Sequence, residues 1–328
     1  MDDLRPHRRA DPDLSLIDFP IIDAHHHLWD LQACRYPWLM ARGVRRFFGD
    51  PTPIQKNYLV ADLLRDAAPL HVEKSVHVQV GVADEDVIEE TRWLQRVADS
   101  GAGQGLPNAK GLPNAIVAFC DLASAEATDT LRAHLRSRNL RGVRQIIGRA
   151  PDEDPGTGSD LLIENRNWQA NLRRLVDLDL RFDLQLIPRQ VPRIAQVLER
   201  IPALRVALCH CGSPWDQSAA GLALWRAGLR RLAALPNIYC KISGFGMFDR
   251  HWSTSSIKPI IESVVEIFGA QRTMFGSNFP VEKLVSDYAT LDVTPGTPRI
   301  DYLGSITLGY GNRPYSGSTG MLRLLFSF

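Results

Sequence analysis

Ile21-Ile22-Asp23-Ala24-His25-His26-His27-Leu28-Trp29-Asp30 follows Pro20 and opens the periodic part of the chain. It reads as a short apolar strand ending in three histidines. Side chains two apart on a strand share a face, so Asp23, His25 and His27 are expected on one side, with Ala24 and His26 on the other. Two imidazoles at that spacing can grip a metal ion or an anionic oxygen, because neutral His is a ligand and protonated His a donor. Solvent-exposed histidines capping a strand are the plainer alternative. Asp-x-His-x-His at the end of a strand favours a working site.

Downstream, short apolar strands alternate with helical stretches. Strands are expected at 75–80, 115–120, 141–147, 181–187, 205–209, 238–242 and 273–276. Helical pattern fills 62–68, 85–98, 123–138, 165–177, 192–200, 222–234 and 257–268. With the opening strand that makes eight, each but the last followed by helix. Such alternation implies parallel strands and a closed α/β (β/α)8 TIM barrel in a single domain. A doubly wound open sheet is the competitor, but no Gly-x-Gly-x-x-Gly turn follows any strand. Residues 1–16 are expected to form a flexible arm, with the barrel over 17–290 and an atypical tail over 291–328. The loop from Cys34 to Asn57 holds Tyr36-Pro37-Trp38-Leu39 and Phe47-Phe48, and a loop this long commonly covers a site. The near-duplicate Gly-Leu-Pro-Asn-Ala at 105–109 and 111–115 reads as a local loop insertion.

At 328 residues the chain fits one large barrel or two modest domains. A hydrophobic content of 45% and a charged content of 23% are those of an ordinary soluble globular protein, and the formal net charge is +1. That charge gives no general attraction to nucleic acid or membrane, and no apolar run is long enough to span a bilayer. A charged Met1–Asp13 without a secretory core and five scattered Cys lead us to expect a cytoplasmic protein with reduced thiols.

Several strands carry polar residues on one alternating face: His77 and Gln79, Arg144, Asp183 and Gln185, His210, Lys241 and Ser243, then Asn278. Buried parallel strands need partners or a purpose for such groups. Singly, each has a plain account. Asp183 with Lys241 suits a structural ion pair, Gln79 a satisfied core amide, and His210 a satisfied core histidine. Together they converge where the C-terminal mouth of a barrel opens. Alternation turns the sulfurs of Cys209 and Cys211 away from the His210 face, so both are expected as small buried thiols. Neither a Gly-x-Ser-x-Gly elbow nor a phosphate loop is present.

These residues resemble the amidohydrolase-related family (amidohydrolase 2), in the branch of TIM-barrel hydrolases that holds L-fuconolactonase and 2-pyrone-4,6-dicarboxylate lactonase. The likeness rests on Asp23 to Asp30 with Tyr36 to Leu39, then Gly142-Val143-Arg144 and Leu208-Cys209-His210-Cys211-Gly212-Ser213-Pro214. It continues through Lys241-Ile242-Ser243-Gly244 and Met274-Phe275-Gly276-Ser277-Asn278-Phe279-Pro280. It runs from about residue 17 to about 290 and is carried by the set rather than by one motif.

The resemblance implies hydrolysis of a lactone or related ester by an activated water. It makes His25, His27, His210 and Asn278 the catalytic candidates, and Arg144, His77, Gln79, Gln185, Lys241 and Trp38 the substrate-binding ones. His25, His27 and His210 would also be the ligands of one divalent metal ion, Zn²⁺ the expected species. Lactonases of this branch are not uniformly metal-dependent, so metal-bound and metal-free sites both stay open. No organic cofactor is expected. The eighth-strand position, usually Asp, is Asn278, whose amide can orient a water but cannot accept its proton. His210 is then the best replacement base, ahead of Asp23 and Glu282. A small anionic or polyhydroxylated lactone is the expected substrate, with a homo-oligomer left open and no nucleic acid or membrane partner. The rivals are a metal-dependent phenolic-acid decarboxylase and a non-catalytic binding protein on the same scaffold. After about residue 291 the resemblance ends, and helical period is absent from Pro295 to Gly320. A changed reading frame is our expectation for that tail.

Overall fold

A computed structural model describes residues 21–288 apart from 69, 71, 101–110 and 152–158. The expected arm, most of the duplicated loop and the tail lie outside the described residues. Eight strands form one sheet in chain order: β1 Ile21–His26, β2 Val72–Val78, β3 Ala115–Phe119, β4 Leu140–Ile146, β5 Arg181–Gln185, β6 Val206–Leu208, β7 Ile238–Ile242 and β8 Thr273–Phe275. Every neighbouring pair is parallel. Between them run α1 Pro37–Met40, α2 Val60–Ala67, α3 Val87–Asp99, α4 Ala127–His134, α5 Arg166–Asp177, α6 Val191–Glu199, α7 Ala219–Ala233, α8 Phe245–Phe248 and α9 Thr254–Phe268. This is the α/β (β/α)8 architecture that the alternation predicts.

Some helices begin where the sequence supplies a capping side chain. Asn165 accepts from the Trp168 amide ahead of α5, and Ser218 from the Gly221 amide ahead of α7. Each helix turns an apolar stripe inward: Trp168, Leu172 and Leu175 from α5, and Trp225, Leu229 and Leu232 from α7, are buried. The loop after β1 is less bare than expected, since α1 and a 3₁₀ turn at Thr52–Ile54 sit within it.

The ladder runs from β1 to β8 and stops there, leaving a seam between β8 and β1. Two main-chain bonds just past β8 bridge it: Asn278 N donates to His25 O and His27 N to Phe279 O, both at 2.7 Å. The Asp23 carboxylate, fully buried, completes the closure. It accepts from Ser277 N (2.9 Å), Ser277 Oγ (2.6 Å), Tyr288 Oη (2.7 Å) and His25 N (3.0 Å). Asp23 is thereby a clasp, with its acceptor positions taken by the seam.

Candidate active site at the strand ends

The C-terminal ends of the strands surround a cavity of about 940 Å³. Its floor is polar, with His27, Gln79, Arg144, Gln185, His210 and Asn278 all lining it. Trp38, Phe47 and Phe48 line its mouth. The rings meet edge to face: Trp38 on Phe48 at 5.9 Å, Phe48 on Phe47 at 5.0 Å, Phe47 on Trp215 at 5.8 Å and Trp215 on Phe248 at 5.0 Å. Trp38 is anchored by its indole N–H on Val80 O at 2.5 Å.

Arg144, projecting from β4, is buried at the floor. Its Nη2 donates to Gln79 O at 2.5 Å, and its Nη1 to Gln185 Oε1 at 3.4 Å and His25 Nε2 at 3.5 Å. Its Nε has no partner, and none of its bonds goes to a carboxylate. A buried guanidinium held by neutral acceptors is a fixed positive charge aimed at whatever enters.

The histidines are neutral. Burial lowers His25, His27 and His210 first, with Lys241 adding most at His25 and Arg144 most at His27 and His210; His27 falls to about 3. The His27 Nδ1–H donates to Val78 O at 2.7 Å, so Nε2 carries the lone pair into the cavity, 3.3 Å from Asn278 Oδ1. His210 Nδ1 pairs with Ser243 Oγ at 2.9 Å. The ring centroids of His25 lie 5.1 Å from His27 and 4.6 Å from His210.

His210 reaches the cavity because β6 ends in a left-handed run: His210, Cys211, Gly212 and Ser213 all have φ between +53° and +68°. Non-glycine residues there cost on the order of 1 kcal/mol each, which a packed site must over-determine. This run also overturns the expected placement of one sulfur. Cys209 is still extended and continues the Ala207 face that is paired with Asp183, so its Sγ faces the barrel interior and lies within 4.8 Å of ligand atoms of His25 and Asp183, while the run from 210 brings His210 to the same side. All five cysteines are buried and free.

Three expected residues sit below or behind the cavity rather than along it. Lys241 donates to Asp183 Oδ2 at 2.5 Å and Ala24 O at 2.9 Å, the structural ion pair weighed from the sequence. His77 Nδ1 accepts from Leu28 N at 3.1 Å, and its ring meets His26 at 6.0 Å. His25 is fully buried beside Arg144.

The donor atoms that converge for a cation are those of His25, Asp183 and Cys209, not the expected histidine trio. This set does not fit a resident divalent ion. Asp183 already holds Lys241, and His25 Nε2 faces Arg144. Two cationic side chains thus already face donor atoms of this set, and their charge opposes a further cation.

Two buried carboxyls join this picture. Glu90 on α3 is raised to about 8 by burial, against the pull of Tyr36 and the Val80 backbone. The sequence carries a signal for it: Glu90 falls three after Val87 and four before Leu94, on the helix's buried stripe. Glu282, four residues past Asn278, is raised to about 7.

The sequence profile of the amidohydrolase family (Amidohydro_2) matches residues 22–297. The chain belongs to the amidohydrolase family. Within it, an uncharacterized Sinorhizobium fredii protein, y4mH, is 36% identical, covering 83% of this chain and 88% of that one. An L-fucono-1,5-lactonase of Burkholderia ambifaria is 27% identical over 81% of this chain and 82% of its own length. A Burkholderia multivorans amidohydrolase, solved with bound HEPES and with bound zinc, superposes with a TM-score of 0.67 at 27% identity, covering 84% and 89% of the two chains. This amidohydrolase is accordingly a hydrolase. No helix among the described residues is long and apolar enough to cross a membrane.

Proposed function

We propose that this amidohydrolase opens a small lactone that is anionic or polyhydroxylated, through attack of a water on the ring carbonyl. The observation that carries this reading is Arg144, a buried guanidinium without a carboxylate partner at the floor of the cavity. It would receive the negative charge that grows on the carbonyl oxygen as the tetrahedral intermediate forms. The 27% and 28% identities to two L-fucono-1,5-lactonases support the lactone class.

The water oxygen bonds to the acyl carbon, and its proton passes to a neutral imidazole at the floor. The ring C–O bond then breaks, and that proton goes to the departing alkoxide, giving a hydroxy acid. His27 suits the base role, since Val78 O fixes its tautomer with Nε2 facing inward; His210 is the other candidate. The cavity is at the upper end for a small-molecule site. The aromatic mouth would cover an apolar substituent on the ring.

The test is turnover of a panel of aldono-lactones and pyrone or muconolactone carboxylates. Arg144→Ala should lower kcat/KM by about 10²–10³-fold, the usual loss of one oxyanion donor. No turnover of any lactone by the wild-type protein would sink the reading.

A further inference from the structure

We propose that Glu282 is a positioning residue acting through Asn278, setting which end of the Asn278 amide faces His27. The proposal rests on the lactonase reading above for its effect on turnover, though not for its geometry.

Glu282 is buried just past β8, and its amide donates to Asn278 O at 3.1 Å, which stacks the two side chains over one turn. Its Oε1 accepts from Gly246 N at 2.5 Å. A side chain at 246 would deny it that place: a Cβ there would lie 2.7 Å from Oε1. The second oxygen, Oε2, has no hydrogen-bond partner, and neither has Asn278 Nδ2. These two orphaned atoms belong to side chains that act on each other.

Donor and acceptor rules connect them to the cavity. Val78 O can only accept, so His27 Nδ1 carries a proton and Nε2 of the neutral ring is an acceptor. An amide meets an acceptor with its NH2. When Asn278 turns that group to His27, its Oδ1 faces Glu282, which must then donate and so be protonated. When Glu282 is ionised, it draws the NH2 to itself and Oδ1 faces His27 Nε2. Two acceptors then converge on one point, and a water there gives a hydrogen to each while its oxygen lone pair faces the substrate. The carboxylate missing from position 278 is thus supplied from 282 through an amide.

Few other charges reach this carboxyl. The segments packed on it, α8 and Thr52–Ile54, carry no ionisable side chain. The adjacent Lys283 reaches outward to Asp66 at 2.6 Å. The groups acting on Glu282 are the Gly246 amide, the Asn278 side chain and the Trp252 indole, and burial outweighs them to place it at about 7. The ionised, water-orienting state therefore fills as pH rises through neutrality.

The experiment is the pH profile of kcat for wild type, Glu282→Gln and Glu282→Gln/Asn278→Asp. Because Gly246 N–H needs an acceptor, the carboxamide introduced by Glu282→Gln would keep its oxygen there and turn its NH2 to Asn278, copying the protonated state. Glu282→Gln should lose the rise between about pH 6 and 8 and drop kcat about tenfold at pH 8, with KM little changed. Adding Asn278→Asp should recover most of the loss. A rise near pH 7 that survives in Glu282→Gln, or an even loss at all pH values unrelieved by Asn278→Asp, overturns the proposal.

If Glu282→Gln does not fold, Asn278→Asp alone decides. Its profile should lose or displace the step, and an unshifted step overturns the proposal. Should no lactone be turned over, the Asn278 side-chain amide resonances still report. A titration with a midpoint near pH 7 supports the relay while the lactonase reading falls; a flat response overturns it.

Discussion

Glu90 shows how one buried carboxyl sets a pH dependence. Its folded-state value of about 8 lies above that of an unfolded Glu, so the folded form holds the proton more tightly. The stability this contributes is complete below about pH 4.5 and is lost as pH rises through about 8. Glu90→Gln should therefore melt about 2–4 °C above wild type at pH 9, with the gain vanishing at pH 5, read by thermal unfolding. Gly244 controls a different group. Its φ is +73°, and a Cβ there would lie 2.6 Å from His210 Nδ1. Gly244→Ala should push the ring off Ser243 and lower kcat/KM by about tenfold or more, with the loss absent if His210 takes no part. At this scale the sequence was informative for His27, Arg144 and His210, which line the cavity, and less so for His25, His77 and Lys241, which do not. It was less so for Glu90, which sits among Asp84, Glu85, Asp86 and Glu89, where a charged run reads as a solvated face.

Between elements, the β1–β8 seam carries the most consequence. Asp23→Ala would leave Ser277 Oγ, Tyr288 Oη and two amides without their acceptor. At about 1–3 kcal/mol for a buried orphan, the loss should be on the order of 4 kcal/mol after relaxation, measurable as a lowered denaturation midpoint. A loss under about 1 kcal/mol would mean the clasp is dispensable. Strand number and order were legible because the period-2 and period-3.6 patterns alternate cleanly. The use made of a face was not. Asp23 shares its strand with His25 and His27 yet serves closure, and Lys241 neutralises Asp183 beneath the floor. Alternation also failed just past β6, where the left-handed run starting at His210 put His210 on the same inward side as Cys209, a backbone effect that no side-chain pattern reports.

For the whole molecule, the six buried histidines among the described residues dominate the response to acid. Burial lowers His25, His26, His27, His77, His134 and His210, with His134 at about 4 and His27 at about 3. Each folded value lies below 6.5, so their contribution is present above about pH 6.5 and drains away as pH falls toward 3. Unfolding in urea should show a lower midpoint at about pH 5 than at about pH 7.5, the opposite limb to that of Glu90. Chelation should leave both turnover and melting temperature unchanged, because Lys241 already faces Asp183 and Arg144 faces His25; turnover abolished by chelator and restored by Zn²⁺ would contradict this. The clasp also bears on how the chain is made. Tyr288 and Asp23 are 265 residues apart in sequence. A ribosome emits the chain from its N-terminus, so β1 waits for almost the whole barrel before its own edge is covered. Until then its unpaired side stays open to other chains, and slow synthesis or truncation before Tyr288 would favour aggregation over closure.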